Sequence, residues 1–114
     1  MTENVGHGLP QGWKASLIGW AQSNGSASEL WLFGGRAKGS ARADSEVDLG
    51  LTLTRAKRGH DRVLRTFVTL HNVWRGELEA ILGLHVNLVP MIPGNEGDAI
   101  IRSTGICLWQ RKPT

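Results

Sequence analysis

Two carboxylates separated by one residue, Glu46 and Asp48, lie downstream of a glycine pair, Gly34-Gly35. On a strand, that spacing puts both acids on the same face. Paired carboxylates on one rigid strand suit Mg2+, a hard ion that prefers oxygen ligands and also binds substrate phosphates. Glycine lets the backbone turn sharply and lets an anion approach the main chain. A helix starting just after Gly35 would turn its free N–H groups toward that anion. A glycine turn for phosphates beside carboxylates for a metal is the equipment of nucleotidyl transfer. Arg36 and Lys38 follow the glycines. They are either surface charges or neutralisers of a triphosphate, with arginine better suited to bidentate contact. Ser45 is placed to cap the turn before the acids.

Other phosphate and metal motifs are excluded. A Walker A loop needs lysine directly after its second glycine, whereas here Lys38 precedes Gly39. The Gly-x-Gly-x-x-Gly fingerprint is absent, as are His-Glu-x-x-His and Cys-x-x-Cys patterns. His7, His60, His71 and His85 are scattered and read as surface or packing residues.

The elements that must position these residues follow from periodicity. Trp13, Leu17, Trp20 and Ala21 form the stripe of an amphipathic helix over Gln11–Asn24. Leu30–Phe33 is a short apolar run and reads as a buried strand that ends at the glycines. From Glu46 to Thr54 the pattern alternates. Val47, Leu49, Leu51 and Leu53 point one way, and Glu46, Asp48, Gly50 and Thr52 the other. Arg36–Ser45 connects the two strands, and Arg55–Gly59 is a basic turn. Val63, Phe67, Leu70, Trp74, Leu78 and Ile81 predict a helix over His60–Leu82, capped by Gly83 and strained at Gly76. His85–Met91 reads as a third strand, with Val86, Leu88 and Pro90 on one side and Asn87 and Val89 on the other. A short helix over Asp98–Ser103 and an extended segment over Ile106–Gln110 complete the chain. The order predicts an α/β (α+β) domain, a small mixed sheet with helices packed on it. Residues 1–10 read as a flexible leader and 11–114 as a single domain.

Composition bounds the rest. The chain has 114 residues, enough for one modest core. No apolar run reaches the ~20 residues of a membrane-spanning helix, and the start has no signal-peptide core. The net charge of +3 favours anionic partners. Arg55, Lys57, Arg58, Arg62 and Arg65 read as a solvated helix start, or as a partner or nucleic-acid surface. Cys107, the single cysteine, reads as a small buried hydrophobe, and its usage fits a reducing cytoplasm. The five tryptophans read as core.

The segment from Leu32 to Leu49 resembles the signature of the DNA polymerase β-type nucleotidyltransferase superfamily in its minimal one-domain form. Gly34, Arg36, Ala37, Gly39, Ser45, Asp48 and Leu49 match that signature in order and spacing. The resemblance implies catalytic positions at Glu46, Asp48 and Asn87. It implies nucleotide contacts at Gly34, Gly35, Arg36, Lys38 and Ser45, and Mg2+ on Glu46 and Asp48. It also implies an acceptor that arrives on a partner, such as the HEPN-type toxin of a toxin–antitoxin pair. Three positions depart from the pattern. Gly35 stands where the family has serine, Glu46 replaces the first aspartate, and Asn87 replaces a third-strand carboxylate. A neutral amide accepts no proton from an attacking hydroxyl. Two functions therefore stand open: an NTP-dependent transferase, and a catalytically degenerate member that binds a partner, with or without a nucleotide.

Overall fold

The computed structural model describes residues 9–39, 45–54 and 60–112, and for 60–64 the backbone alone. Most of the expected leader, the middle of the Arg36–Ser45 connection and all of the basic turn lie outside the described residues. Within them, the elements run α1 (Trp13–Ser23), β1 (Ala27–Phe33), α2 (Gly34–Lys38), β2 (Val47–Leu53), α3 (His60–Leu82), β3 (Val86–Pro90), α4 (Glu96–Thr104) and β4 (Ile106–Gln110).

The strands form one mixed sheet in the order β3-β2-β1-β4. β1 pairs antiparallel with β2 and β4, while β2 and β3 are parallel and are joined through α3. Parallel neighbours need such a crossover, and here it is the chain's longest helix. The alternation along β2 sends Val47, Leu49, Leu51 and Leu53 to one face, where Leu30, Leu32, Val86 and Leu88 join them. Leu17 and Ala21 of α1 and Phe67, Trp74, Leu78 and Leu82 of α3 cover that face. Trp74 meets Trp20 and Phe67 edge-on, at 6.5 and 6.2 Å between ring centroids. Leu9 packs against the same core, and the Pro10 carbonyl accepts the Trp13 N–H.

The opposite face is also covered. Gly50 is buried there, and a Cβ on it would meet Met91 Sδ at 2.7 Å and Ile101 Cδ1 at 3.4 Å. The polar side that alternation predicts for β2 is therefore roofed by α4 and the segment before it, and Thr52 is buried as well.

Several sequence expectations shift. β1 starts at Ala27 rather than Leu30, because it has paired neighbours on both sides. Gly76 leaves α3 unbroken, since it faces open space. The α3 stripe drifts, so Leu82 is buried and Ile81 is 36% exposed. Pro90 closes β3 and is exposed rather than facing inward with Leu88. Cys107 is exposed on the sheet-edge strand β4, not buried. Among the described residues no helix is long and apolar enough to cross a membrane.

Candidate functional site

At Gly34 the chain leaves β1 with φ of 72° and enters α2. That region suits glycine, which has no Cβ to clash with its own backbone. A second constraint acts at the same place. A Cβ on Gly34 would collide with the Asp48 carboxylate, lying 3.1 Å from its Cγ. The anion that approaches this glycine is the chain's own.

Pairing explains the approach. Asp48 stands opposite Phe33 across the antiparallel β1–β2 ladder and opposite Asn87 across the parallel β2–β3 ladder. Asn87 Nδ2 donates to Asp48 Oδ1 over 3.0 Å. A carboxylate only accepts, so the amide presents its NH2 side and turns its own oxygen away. Among the described residues, no group donates a hydrogen bond to Asp48 Oδ2. Asp48 is half-buried, seated between a glycine on one side and an amide on the other.

Glu46 differs from expectation. Strand pairing begins at Val47, whose N–H donates to the His85 carbonyl over 2.8 Å. Glu46 is thus the exposed residue leading into β2, not a strand residue beside Asp48. The helix after the glycines also differs: α2 begins at Gly34 itself and spans five residues. Its last turn carries Lys38, exposed, and it ends on Gly39 with φ of 79°. Arg36 is only 1% exposed, and its Nη2 donates to the Ser45 carbonyl. This bond ties α2 to the entry of β2 across the connection. Ser45 is half-buried beside it.

A polar cluster not anticipated from the sequence lies on the same sheet face. Arg102 of α4 donates through Nε to both Asp98 oxygens, each at 3.0 Å. Its Nη atoms reach the two Glu29 oxygens at 3.0 and 3.2 Å. The guanidinium lies over the Trp31 ring, 5.5 Å from its centroid, and Trp31 Nε1 donates to Glu29. Trp31 is therefore half-buried in this cluster instead of sitting in the core. The Asp98–Arg102 spacing is visible in the sequence, but Glu29 is 73 positions away. On the neighbouring strand, partial burial pushes the Cys107 thiol above its ordinary pKa, so little thiolate is available there.

Among the described residues, no three His, Cys, Asp or Glu side chains converge where an ion could sit. The donors at hand are Asp48, whose Oδ2 is seated against Gly34, and Glu46, exposed two residues before it. Mg2+ is commonly held by one or two carboxylates with phosphates and water completing its shell. The residues fit such an ion when a nucleotide accompanies it.

The nucleotidyltransferase domain, as a family model, matches residues 18–106. The chain belongs to the nucleotidyltransferase domain family. The Gly34 cradle, Asp48 and Asn87 all fall within the matched span. Among solved structures, the fold is similar to the crystal structure of a toxin–antitoxin with AMP-PNP. The TM-score is 0.66 at 16% identity, over 87% of this chain and 74% of that one. At that identity the likeness establishes the fold alone. A candidate nucleotidyltransferase from Sulfolobus solfataricus aligns more loosely, with a TM-score of 0.45 at 17% identity, over 86% of this chain and 77% of that one. No curated protein matches the chain.

Proposed function

We propose that this nucleotidyltransferase-family protein transfers a nucleoside monophosphate from an NTP, such as ATP, to a hydroxyl on a protein partner. The observation that carries the reading is Asp48, with Oδ2 seated against Gly34 and Oδ1 held by Asn87. The acceptor oxygen attacks the α-phosphorus, the α–β phosphoanhydride bond breaks, and pyrophosphate leaves. Asp48 and Glu46 would hold Mg2+, which supplies charge neutralisation on the phosphates when bound. Gly35 offers the phosphates an approach to the main chain beside the seat that Asp48 takes at Gly34, and Lys38 adds an exposed positive charge. Arg36 serves by bracing: its bond to the Ser45 carbonyl fixes the entry to β2. Asn87 accepts no proton, so the proton of the hydroxyl passes to solvent or to a group on the partner.

The toxin–antitoxin whose fold this chain shares supports a protein partner. We take it to be a HEPN-type toxin, with this chain as the antitoxin. One observation favours a second reading. Asn87 removes a carboxylate from the Asp48 site, which suits a protein that binds nucleotide and partner without turnover.

Calorimetry with ATP and GTP, in Mg2+ and again in EDTA, tests the site. Mg2+-dependent binding that a Glu46→Ala, Asp48→Ala double variant loses supports the transferase. Incubation with the co-produced partner and α-labelled ATP then separates the two readings: label on the partner establishes transfer, and binding without label establishes the second. Absence of nucleotide binding under every condition overturns the transferase and leaves a nucleotidyltransferase fold that holds a partner.

A further inference from the structure

We infer that Asn87 is a positioning residue that makes this a single-ion site, loaded only when ion and nucleotide arrive together. The nucleotide half of this statement rests on the function proposed above. The positioning half rests on geometry alone.

Asn87 reaches no reacting atom in its described position; it reaches Asp48. Its NH2 group holds Oδ1 at 3.0 Å, and the Gly34 cradle leaves room for Oδ2 where a side chain would exclude it. The two contacts act on opposite oxygens and together select one rotamer of Asp48. The same amide decides the charge of the site. An aspartate at position 87 would face Asp48 across the parallel ladder, in direct register. Two carboxylates that close would repel until a cation joined them, and such a pair would collect a divalent ion unaided. With asparagine there, one carboxylate of the pair remains and its charge already accepts a hydrogen bond. No third acid converges on it among the described residues. An Mg2+ held by Asp48 and Glu46 then draws its other anionic ligands from phosphates. Ion and nucleotide affinities become reciprocally coupled, each small without the other.

The experiment compares the wild-type protein with Asn87→Asp, which is nearly isosteric, and Asn87→Ala. Binding of Mn2+ alone is followed by its electron paramagnetic resonance signal. Binding of ATP is followed by calorimetry with and without Mg2+. The Asp48 side-chain rotamer is read from three-bond NMR couplings in the ligand-free protein. Wild type should bind Mn2+ feebly without nucleotide, whereas Asn87→Asp should bind it at least about tenfold more tightly, the scale of supporting groups around metal sites. Asn87→Ala should average the Asp48 couplings and lose about tenfold in Mg2+-dependent ATP affinity. Tight nucleotide-free Mn2+ binding by wild type, or unchanged couplings in Asn87→Ala, would overturn the inference. So would an Asn87→Asp variant with no gain in Mn2+ affinity. If wild type binds no ATP at all, the proposed function falls, and the Mn2+ and coupling measurements still decide the role of Asn87.

Discussion

A methyl group at position 34 would have to occupy the space that holds the Asp48 carboxylate. Gly34→Ala therefore incurs two penalties. The positive φ costs a side chain roughly 1–2 kcal/mol, and Asp48 is driven from its seat. Urea denaturation should show a loss of that order, and calorimetry should show Mg2+-dependent nucleotide binding reduced further than stability alone explains. Gly83→Ala, which also has positive φ but meets nothing within 4 Å, should lose stability alone and so separate backbone strain from the cradle. At this scale the sequence displayed the chemistry but not its wiring. Gly34 and Asp48 stood out through type and spacing. The partner of Asp48 lies 39 residues further on and becomes its neighbour only through strand pairing. The burial of Arg36 was likewise hidden, because a charged residue after a glycine pair carries no mark of facing inward.

At the scale of elements, two junctions fix the frame. Arg102 joins α4 to β1 through Asp98 and Glu29, with side chains that are 34, 8 and 12% exposed. Removing the cation leaves two largely buried carboxylates without the guanidinium that both bind. Arg102→Ala should cost about 1–2 kcal/mol in thermal or urea denaturation, the partial exposure of Arg102 moderating the full penalty of a broken buried pair. Nucleotide affinity should change little. The second junction is between α3 and β3. Glu79 Oε2 accepts the Val86 N–H at 2.9 Å, and that bond, aided by Arg75 and His85, holds the Glu79 carboxyl below its ordinary pKa. A depressed carboxylate stabilises the fold above its unfolded pKa and ceases to do so as pH falls through the folded value. Melting temperatures should thus show Glu79→Gln less stable than wild type at neutral pH, with the gap closing as acid protonates Glu79. The elements themselves were legible where periodicity was strong: α3 and β4 fall where the pattern puts them. Edges were less so. Ser28 and Glu29 do not announce a strand, and β1 extends through them because both sides find hydrogen-bond partners.

For the molecule as a whole, one core on one face of the sheet joins all four strands to α1 and α3. Leu78 is fully buried at its centre. Leu78→Ala should cost about 2–5 kcal/mol, and tryptophan fluorescence and far-ultraviolet dichroism should lose signal in one coincident transition. Noncoincident transitions would show that the layer under α4 melts separately. The fold class followed from the order of the elements. The strand order did not, because no local pattern says that β1 accepts β4 on one side and β2 on the other.

The place of β3 at the margin of the sheet has a further consequence. Its ladder has one neighbour, so its amides are the first of the parallel pair to open to solvent, and each opening carries Asn87 away from Asp48. Deuterium uptake at Val86–Pro90 is then a gauge of how often the ion seat comes apart. Nucleotide with Mg2+ should slow that uptake more than it slows uptake in the distant β4.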